Sequence, residues 1–370
     1  MKIALLANGE NIHTVRWANG LVERGCEIHV LSAHAFSPYL FPEVRAHSLR
    51  LPPPWSYLFS ARQVRRQLAQ IKPDILHVHY ASGYGTLGRL SGFHPYLLSV
   101  WGADVYDFPR NSPLQRRLVT SNLRSADCVC STSHTMAEQC YRLWPGLSGI
   151  QVIAFGVDSK RFCSADRHSR TPGITVGTVK TLSRKYGIDT LIRGFAKCRS
   201  ALQHRDPTCA KRVRLRIVGD GPQRYELEQL ARTVGVADVT SFVGAVPHDR
   251  VPSELNELDI YVAVSRLDSE SFGVAVLEAS ACELPVVVSD AGGLPEVVEN
   301  GKTGLVILRE NPERLAEALN LLIARGEMRT EFGRRGRCLV QQRYEWQHCV
   351  DSMLEVYDRM LADSRQRRAA

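Results

Sequence analysis

The chain has 370 residues, 44% hydrophobic and 23% charged, and a formal net charge of +9. These are the proportions of an ordinary soluble globular protein, and the length suits two domains rather than one. The charge is uneven: residues 1–170 hold 19 Lys+Arg against 11 Asp+Glu, or +8, and the remainder holds 28 against 27, or +1. No run of about 18 apolar residues occurs, which excludes a membrane-spanning helix. The N-terminus MKIALLANGENIHT has one lysine, a short apolar run and no small-residue cleavage site, so it is expected to be a first strand and not a signal peptide. Ten cysteines are scattered without a CxxC pair, and CVC at 128–130 is a poor zinc pattern. Buried reduced thiols and a cytoplasmic protein are the expectation.

In chain order, KIALLA (2–7) precedes a helical pattern at 12–25. Then come EIHVLSA (27–33), DILHVHY (74–80), PYLLSVW (95–101), CVCSTS (128–133) and IQVIAFG (150–156). Short apolar runs separated by amphipathic helices predict βαβ units and a parallel sheet. The polar stretch SADRHSRTPG (164–173) is expected to be a linker. The pattern restarts with ITVGTV (174–179), VRLRIVG (213–219), VTSFVG (239–244), DIYVAVS (259–265) and PVVVSD (285–290), with helices between them such as 224–236. From residue 311 to 363 the chain reads as helix. The expected fold class is α/β: two doubly wound, Rossmann-like domains facing a cleft, with ligands at the carboxyl ends of the strands.

ESFGVAVLE (270–278) places an acid at each end of an apolar segment. A helix is expected to start near Phe272. Its first amides, at Gly273 and Val274, then lack intrahelical partners and form an anion site. Glu270 lies in the loop before it and Glu278 about one and a half turns in. A ligand ordered as sugar hydroxyls, pyrophosphate and ribose hydroxyls would meet Glu270, the amides and Glu278 in turn. Carboxylates accept hydrogen bonds from hydroxyl pairs, and amides and cations hold phosphates.

The segment 265–306 resembles the signature of family-four retaining glycosyltransferases of the GT-B fold. It has two glutamates separated by seven residues, then Leu284-Pro285, which departs from the family's G-x-P at the glycine, and Gly292-Gly293-Leu294-Pro295-Glu296, which matches G-G-x-x-E. The resemblance extends over nearly the whole chain. NGENIHTVRWANGLVERGCEIHVLS (8–32) is similar to the first phosphate loop and helix, with Gly9 at one of its two glycine places and Asn8 at the other. GTVKTLSRKYGIDTLI (177–192) is similar to the start of the donor domain. Lys180 and Lys185 take the places of the basic pair that faces the pyrophosphate, the first being more often arginine. Residues 217–230 and 242–255 are similar to the next two blocks, and Val246 is the nearest match to the residues whose backbone reaches the nucleotide base. FGVDSKRF (155–162) resembles the hinge block, and 344–360 resembles the last helix, which crosses back onto the first domain. The domains implied are 1–165 with 347–370, binding the acceptor, and 166–346, binding the nucleotide-sugar donor.

One place departs from the pattern. Many members carry a histidine before a G-x-D in the acceptor domain. In SVWGADVYDFP (99–109) Trp101 stands there, with Gly102 and Asp104 kept, as in a variant branch of the family. Histidine chemistry at that place is therefore in question, and His79 or His13 would lie nearby.

The resemblance implies that the leaving nucleotide phosphate acts as internal base while the enzyme neutralises the diphosphate and positions the acceptor. Lys180 and Lys185 would supply that charge with no metal and no other cofactor. Glu270 would hold sugar hydroxyls and steady positive charge at the anomeric carbon, Glu278 would hold ribose, and Gly9 would admit the pyrophosphate. Phe272, Gly273 and Val274 complete the donor site; His13, His79, Trp101 and Asp104 line the acceptor side. His77 and His79 alternate on one strand, but no third metal ligand is visible at a useful spacing. No D-x-D occurs, which argues against a metal-dependent GT-A enzyme. The aromatic, arginine-rich segments 55–68 and 108–118 suit an interfacial helix on anionic lipid, the alternative being a solvated face with packed aromatics. The expected protein is a transferase that builds a polysaccharide or lipid-linked glycan, cytoplasmic or peripheral on the inner face of the cell membrane. A nucleotide-sugar epimerase or hydrolase would release nucleotide without an acceptor. A non-catalytic nucleotide-sugar-binding partner is disfavoured by intact Glu270, Glu278 and both lysines. The basic half shows no nucleic-acid recognition motif. The donor stays open among UDP-glucose, UDP-N-acetylglucosamine, UDP-galactose and GDP-mannose.

Overall fold

The computed structural model describes residues 1–165 and 173–369, and the chain divides into two compact units: Met1–Phe155 with the segment from Gln347 onward, and Gly156–Trp346. In the first unit seven strands form one sheet: β1 (Lys2–Leu6), β2 (Glu27–Ser32), β3 (Arg45–Ser48), β4 (Ile75–His79), β5 (Tyr96–Ser99), β6 (Cys128–Ser131) and β7 (Gln151–Val152). Their order is β3-β2-β1-β4-β5-β6-β7, and every pairing is parallel. In the second unit β8 (Ile174–Val179), β9 (Val213–Val218), β10 (Thr240–Gly244), β11 (Ile260–Ala263), β12 (Val286–Ser289) and β13 (Gly304–Ile307) run in the order β10-β9-β8-β11-β12-β13, again all parallel. Both are doubly wound Rossmann-like sheets, whose order reverses between β1 and β4 and between β8 and β11. Loops leaving the strands on either side of such a reversal diverge and leave a ligand crevice.

The continuous apolar runs become strands because helices bury both faces of a parallel sheet. Ile3, Leu5, Leu76, Leu97 and Leu98 are fully buried in the first unit, as are Val176, Leu215, Ile217 and Val287 in the second. Two strands depart from the sequence expectation. RAHS of β3 is an exposed edge strand without an apolar run, and GLVI of β13 is only four residues long and opens on a glycine. The expected strand at 150–156 shrinks to Gln151–Val152.

The helix Trp346–Ala369 packs on the first unit from Gln347 onward. Val350, Met353, Val356, Tyr357 and Met360 are buried along one stripe at helical spacing. The Tyr357 hydroxyl pairs with His77 Nδ1 at 2.6 Å, while His77 Nε2 pairs with Ser99 Oγ at 2.7 Å. Arg24 donates to Asp351 at 2.6 Å nearer the start of the helix.

The division falls after Phe155, whereas the sequence reading placed it at 165/166. The hinge-like block belongs with the second unit because its backbone is held there. Val157 donates to the Tyr344 carbonyl at 2.7 Å, Trp346 donates to the Val157 carbonyl at 3.0 Å, and Arg337 donates to the carbonyls of Ser159 and Phe162, both at 3.1 Å. Of the expected linker at 164–173, residues 166–172 lie outside the described residues.

Burial pushes His77 down to about 3, and burial with the neighbouring His77 and His13 pushes His79 well below its ordinary value of 6.5. Both stay neutral in the fold, while the unfolded chain takes up their protons below about pH 6.5. Because the unfolded state then binds more protons, stability falls as pH falls. From pH 6.5 to 5.5 the pair is expected to remove about 2 kcal/mol, read as a lower urea midpoint. Replacing both histidines by glutamine should flatten that slope.

Candidate active site

The reversal between β8 and β11 brings together the loop after β8, with Lys180 and Lys185, and the loop after β11, with Glu270. Lys180 Nζ donates to Glu270 Oε1 at 2.9 Å, and Lys185 Nζ donates to the Ser269 carbonyl at 2.8 Å. Both ammonium groups also sit over the Tyr186 ring, 4.7 and 5.3 Å from its centre. Burial disfavours the charge on Lys180, but Glu270, with Tyr261 and Tyr186, more than offsets it and holds the ammonium above its ordinary range. Glu270 is 7% exposed, so this is a largely desolvated ion pair at the carboxyl edge of a sheet.

Close backbone packing fixes both loops. A Cβ on Gly219 would lie 2.0 Å from the Lys180 carbonyl oxygen, and one on Gly187 would lie 2.1 Å from that of Val264. The Glu270 loop rests on the glycine pair of the G-G-x-x-E element: Gly293 donates to the Glu270 carbonyl at 3.0 Å, and Gly292 donates to Asp268 Oδ1 at 3.3 Å. Arg309 clamps the same loop. Its guanidinium donates to Asp268 Oδ1 at 2.8 Å, Asp290 Oδ1 at 3.0 Å, the Arg266 carbonyl at 3.1 Å and the Asp290 carbonyl.

The expected helix starts two residues later than its sequence suggests, spanning Val274–Ala281. Phe272 packs edge-on against Tyr344 at 5.9 Å instead of opening the helix. Gly273 is the N-cap, with φ 99° and ψ 44°, a turn that only glycine makes without strain. The amides with no partner inside the helix are therefore those of Val274 and the residue after it. Glu278, 7% exposed, accepts from His248 Nε2 at 3.3 Å. His248 Nδ1 in turn accepts from Arg161 at 3.1 Å, since a guanidinium can only donate. Val246 is half-buried two residues before His248, in the loop after β10. The buried Tyr261 hydroxyl donates to the Val179 carbonyl at 3.4 Å, at the end of β8. The hydroxyl is pushed up to about 12, by burial first, with Lys180 lowering it and Glu278 and Glu270 raising it.

In the first unit, His13, His79 and Trp101 come together with Phe155. The His13 ring stacks on Phe155 at 4.1 Å and 8°, and Trp101 lies 5.4 Å from Phe155, 5.9 Å from His13 and 4.5 Å from His79. His79 Nδ1 pairs with Thr14 Oγ1 at 3.3 Å, while its buried Nε2 has no partner among the described residues. The next residue, Tyr80, has φ 83°, an unfavourable conformation at the loop after β4. Asp104 is fully buried and shapes the loops rather than facing solvent. It accepts from the amides of Ala81 at 2.7 Å, Gly102 at 2.8 Å and Trp101 at 3.1 Å. Gly9 donates to Ser32 Oγ at 3.0 Å, and a Cβ there would lie 2.6 Å from the Phe36 ring, so packing alone requires a glycine. Both ring nitrogens of His77 are engaged, and among the described residues no group of three or more His, Cys, Asp or Glu is placed to hold a metal ion.

His248, Tyr186, Arg309 and Phe155 were not singled out from the sequence. Phe155, Tyr186 and His248 stand inside segments that resemble family blocks, which is the one signal that marked them; Arg309 had none.

Residues 162–338 match the family model of group 1 glycosyl transferases, and residues 2–133 match that of glycosyl transferase 4-like domains. The chain belongs to this glycosyltransferase family, and it is a transferase enzyme of the GT-B class. It is similar to N-acetyl-alpha-D-glucosaminyl L-malate synthase of Bacillus anthracis, at 23% identity over 93% of this chain and 92% of that protein. Among solved structures, sucrose-phosphate synthase from Thermosynechococcus elongatus superposes with a TM-score of 0.82 at 22% identity, covering 98% of this chain and 100% of that one. HepE of Anabaena in complex with UDP-glucose gives 0.79 at 20% identity, covering 97% and 99%. No helix among the described residues is long and apolar enough to cross a membrane.

Proposed function

We propose that the chain is a retaining hexosyltransferase that moves a sugar from a nucleotide-sugar donor, bound in the second unit, to a polysaccharide or lipid-linked glycan acceptor, bound on the first. The observation that carries this reading is the desolvated pair Lys180–Glu270, 2.9 Å apart at the reversal of the second sheet. A donor diphosphate there would draw Lys180 toward its own oxygens. That single exchange frees the Glu270 carboxylate for the sugar hydroxyls and for the positive charge that grows at the anomeric carbon. Lys185 and the amides of Val274 and Ala275, which have no partner inside the helix, add to the same anion site. The leaving phosphate acts as base toward the acceptor on the face that it quits, which retains configuration. Lys180 and Lys185 provide the charge neutralisation, so the reaction runs without added metal.

Glu278 holds the ribose hydroxyls, and Val246 offers its backbone to the base. HepE was solved with UDP-glucose, and a UDP-sugar is the first donor to test. On this reading the enzyme is cytoplasmic or peripheral on the inner face of the cell membrane. A panel of UDP- and GDP-sugars checks the reading by thermal shift. At about 100 times Kd a true donor stabilises by about 2.7 kcal/mol, a rise of several degrees in Tm. The reading fails if no nucleotide sugar shifts Tm.

His248 orients Glu278 through their 3.3 Å hydrogen bond. His248→Ala removes one hydrogen bond to a charged group, so donor KM is expected to rise about fivefold with kcat little changed. His248→Asn, which can still donate, should recover part of the loss.

A further inference from the structure

The short helix Trp55–Phe59 is built inside out. Trp55, Leu58 and Phe59 share one face at i, i+3 and i+4 and are 58%, 58% and 65% exposed. Ser56 and Ser60 are buried on the other side, and the Ser56 hydroxyl has no partner among the described residues. A helix folding for its own domain's sake puts these residue types the other way round. The outward face is nonetheless ordered. Tyr57 anchors it, packing on Tyr84 at 5.2 Å so closely that a Cβ on Gly83 would lie 2.5 Å from its ring, and Trp55 and Phe59 stack at 6.4 Å and 19°.

The surroundings are cationic. From 44 to 73 the sequence holds Arg45, Arg50, Arg62, Arg65, Arg66 and Lys72 and no acidic residue; from 108 to 126 it holds Arg110, Arg116, Arg117 and Arg124 and again none. Arg50, Arg62 and Arg66 are exposed and have no acidic partner among the described residues. The helix Pro113–Ser125, which carries Leu114 at 74% exposure, packs on the helix Gly83–Ser91, and so do Trp55–Phe59 and Ala61–Ile71. The helix Gly83–Ser91 follows β4, the strand that carries His79, so this face lies beside the acceptor side of the first unit.

We infer that this face docks on an anionic lipid surface, with Trp55, Leu58 and Phe59 inserted at the headgroup boundary and the arginine rim on acidic headgroups. An exposed apolar tip of three residues, set in a stretch that from 44 to 73 holds six cations and no acid, fits the boundary between headgroups and acyl chains. The inference rests on the proposed reading only in naming the acceptor side, since docking itself stands on the surface.

The test is flotation of the full chain with vesicles of phosphatidylcholine alone or mixed with phosphatidylglycerol, each variant also being given the donor nucleotide in a thermal shift. Wild type should float with the anionic vesicles only, and should be released when salt is raised to about 0.5 M. The variants W55S/L58S/F59S and R62E/R66E should each lose about tenfold or more in partitioning while keeping the nucleotide shift. The proposal is overturned if wild type does not float with anionic vesicles, or if both variants float as wild type does. Loss of the nucleotide shift in wild type counts against the donor assignment and leaves docking standing.

Discussion

Glu270→Gln is expected to lower kcat for sugar transfer by about two to three orders of magnitude, with a much smaller effect on stability. The amide keeps the shape of the carboxylate and one acceptor oxygen for Lys180, but it carries no charge to offset the positive charge that grows on the sugar. Glu270→Ala is expected to behave differently. It strips Lys180 of the partner 2.9 Å away that keeps a buried ammonium charged. Breaking such a pair from one side costs on the order of 3–5 kcal/mol, so activity and urea midpoint should fall together. Lys180→Met combined with Glu270→Gln separates the two roles. The double variant should regain stability relative to either single one and stay inactive, because the lysine is also the diphosphate's counter-charge. Activity that survives Glu270→Gln within tenfold of wild type would remove Glu270 from the chemistry.

The second large effect is steric. Gly292 has φ 52°, and a Cβ there would stand 2.3 Å from the Glu270 carbonyl oxygen and 2.6 Å from that of Asp268. Both are backbone atoms that no rotamer change can move away. Gly292→Ala must displace the loop that presents Glu270, and a loss of about 3 kcal/mol with most of the activity is expected. Two other glycines resolve the causes. Gly293→Ala, at φ −85°, keeps an ordinary backbone but meets the Ser271 carbonyl oxygen at 2.2 Å, so sterics alone should cost nearly as much. Gly301→Ala, at φ 76° with nothing within 4 Å of its Cβ, suffers only the left-handed conformation, about 1–2 kcal/mol, and should leave kcat unchanged. Thermal melts and kcat of the three variants check that order. Equal losses at 292 and 301 would mean that the clash with the Glu270 loop is relieved cheaply.

The two sheets were legible because parallel strands covered on both faces must be apolar along their length, as ITVGTV and DIYVAVS are. RAHS of β3 was not, since an exposed edge strand is held by β2's backbone and needs no apolar side chains. The domain division at Phe155 was not either. Backbone hydrogen bonds from Val157 to Tyr344 and Trp346 decide it, and backbone bonds leave no mark on residue identity. In the candidate site, Glu270 and Glu278 were readable as acids placed around a helix start, and the two lysines only through the family resemblance. Their partners were not. His248 reaches Glu278 across 30 positions and Arg309 reaches Asp268 across 41, distances at which nothing short of the folded sheet order says which side chains meet. The aromatic group around Trp101 shows the same limit. Trp101 was marked as a departure from a pattern, but only the fold shows that His13 lies flat on Phe155 beside it.

The most direct measurement of the central claim is transfer of labelled sugar from the nucleotide sugar chosen by thermal shift to glycan acceptors in a membrane extract, with wild type and Glu270→Gln side by side and free nucleotide followed in the same tubes. The account predicts label in the acceptor with its anomeric configuration retained, nucleotide release that depends on the acceptor, and at most about one hundredth of that rate with glutamine at 270. Nucleotide released at the same rate without acceptor, or transfer unaffected by the substitution, would contradict it.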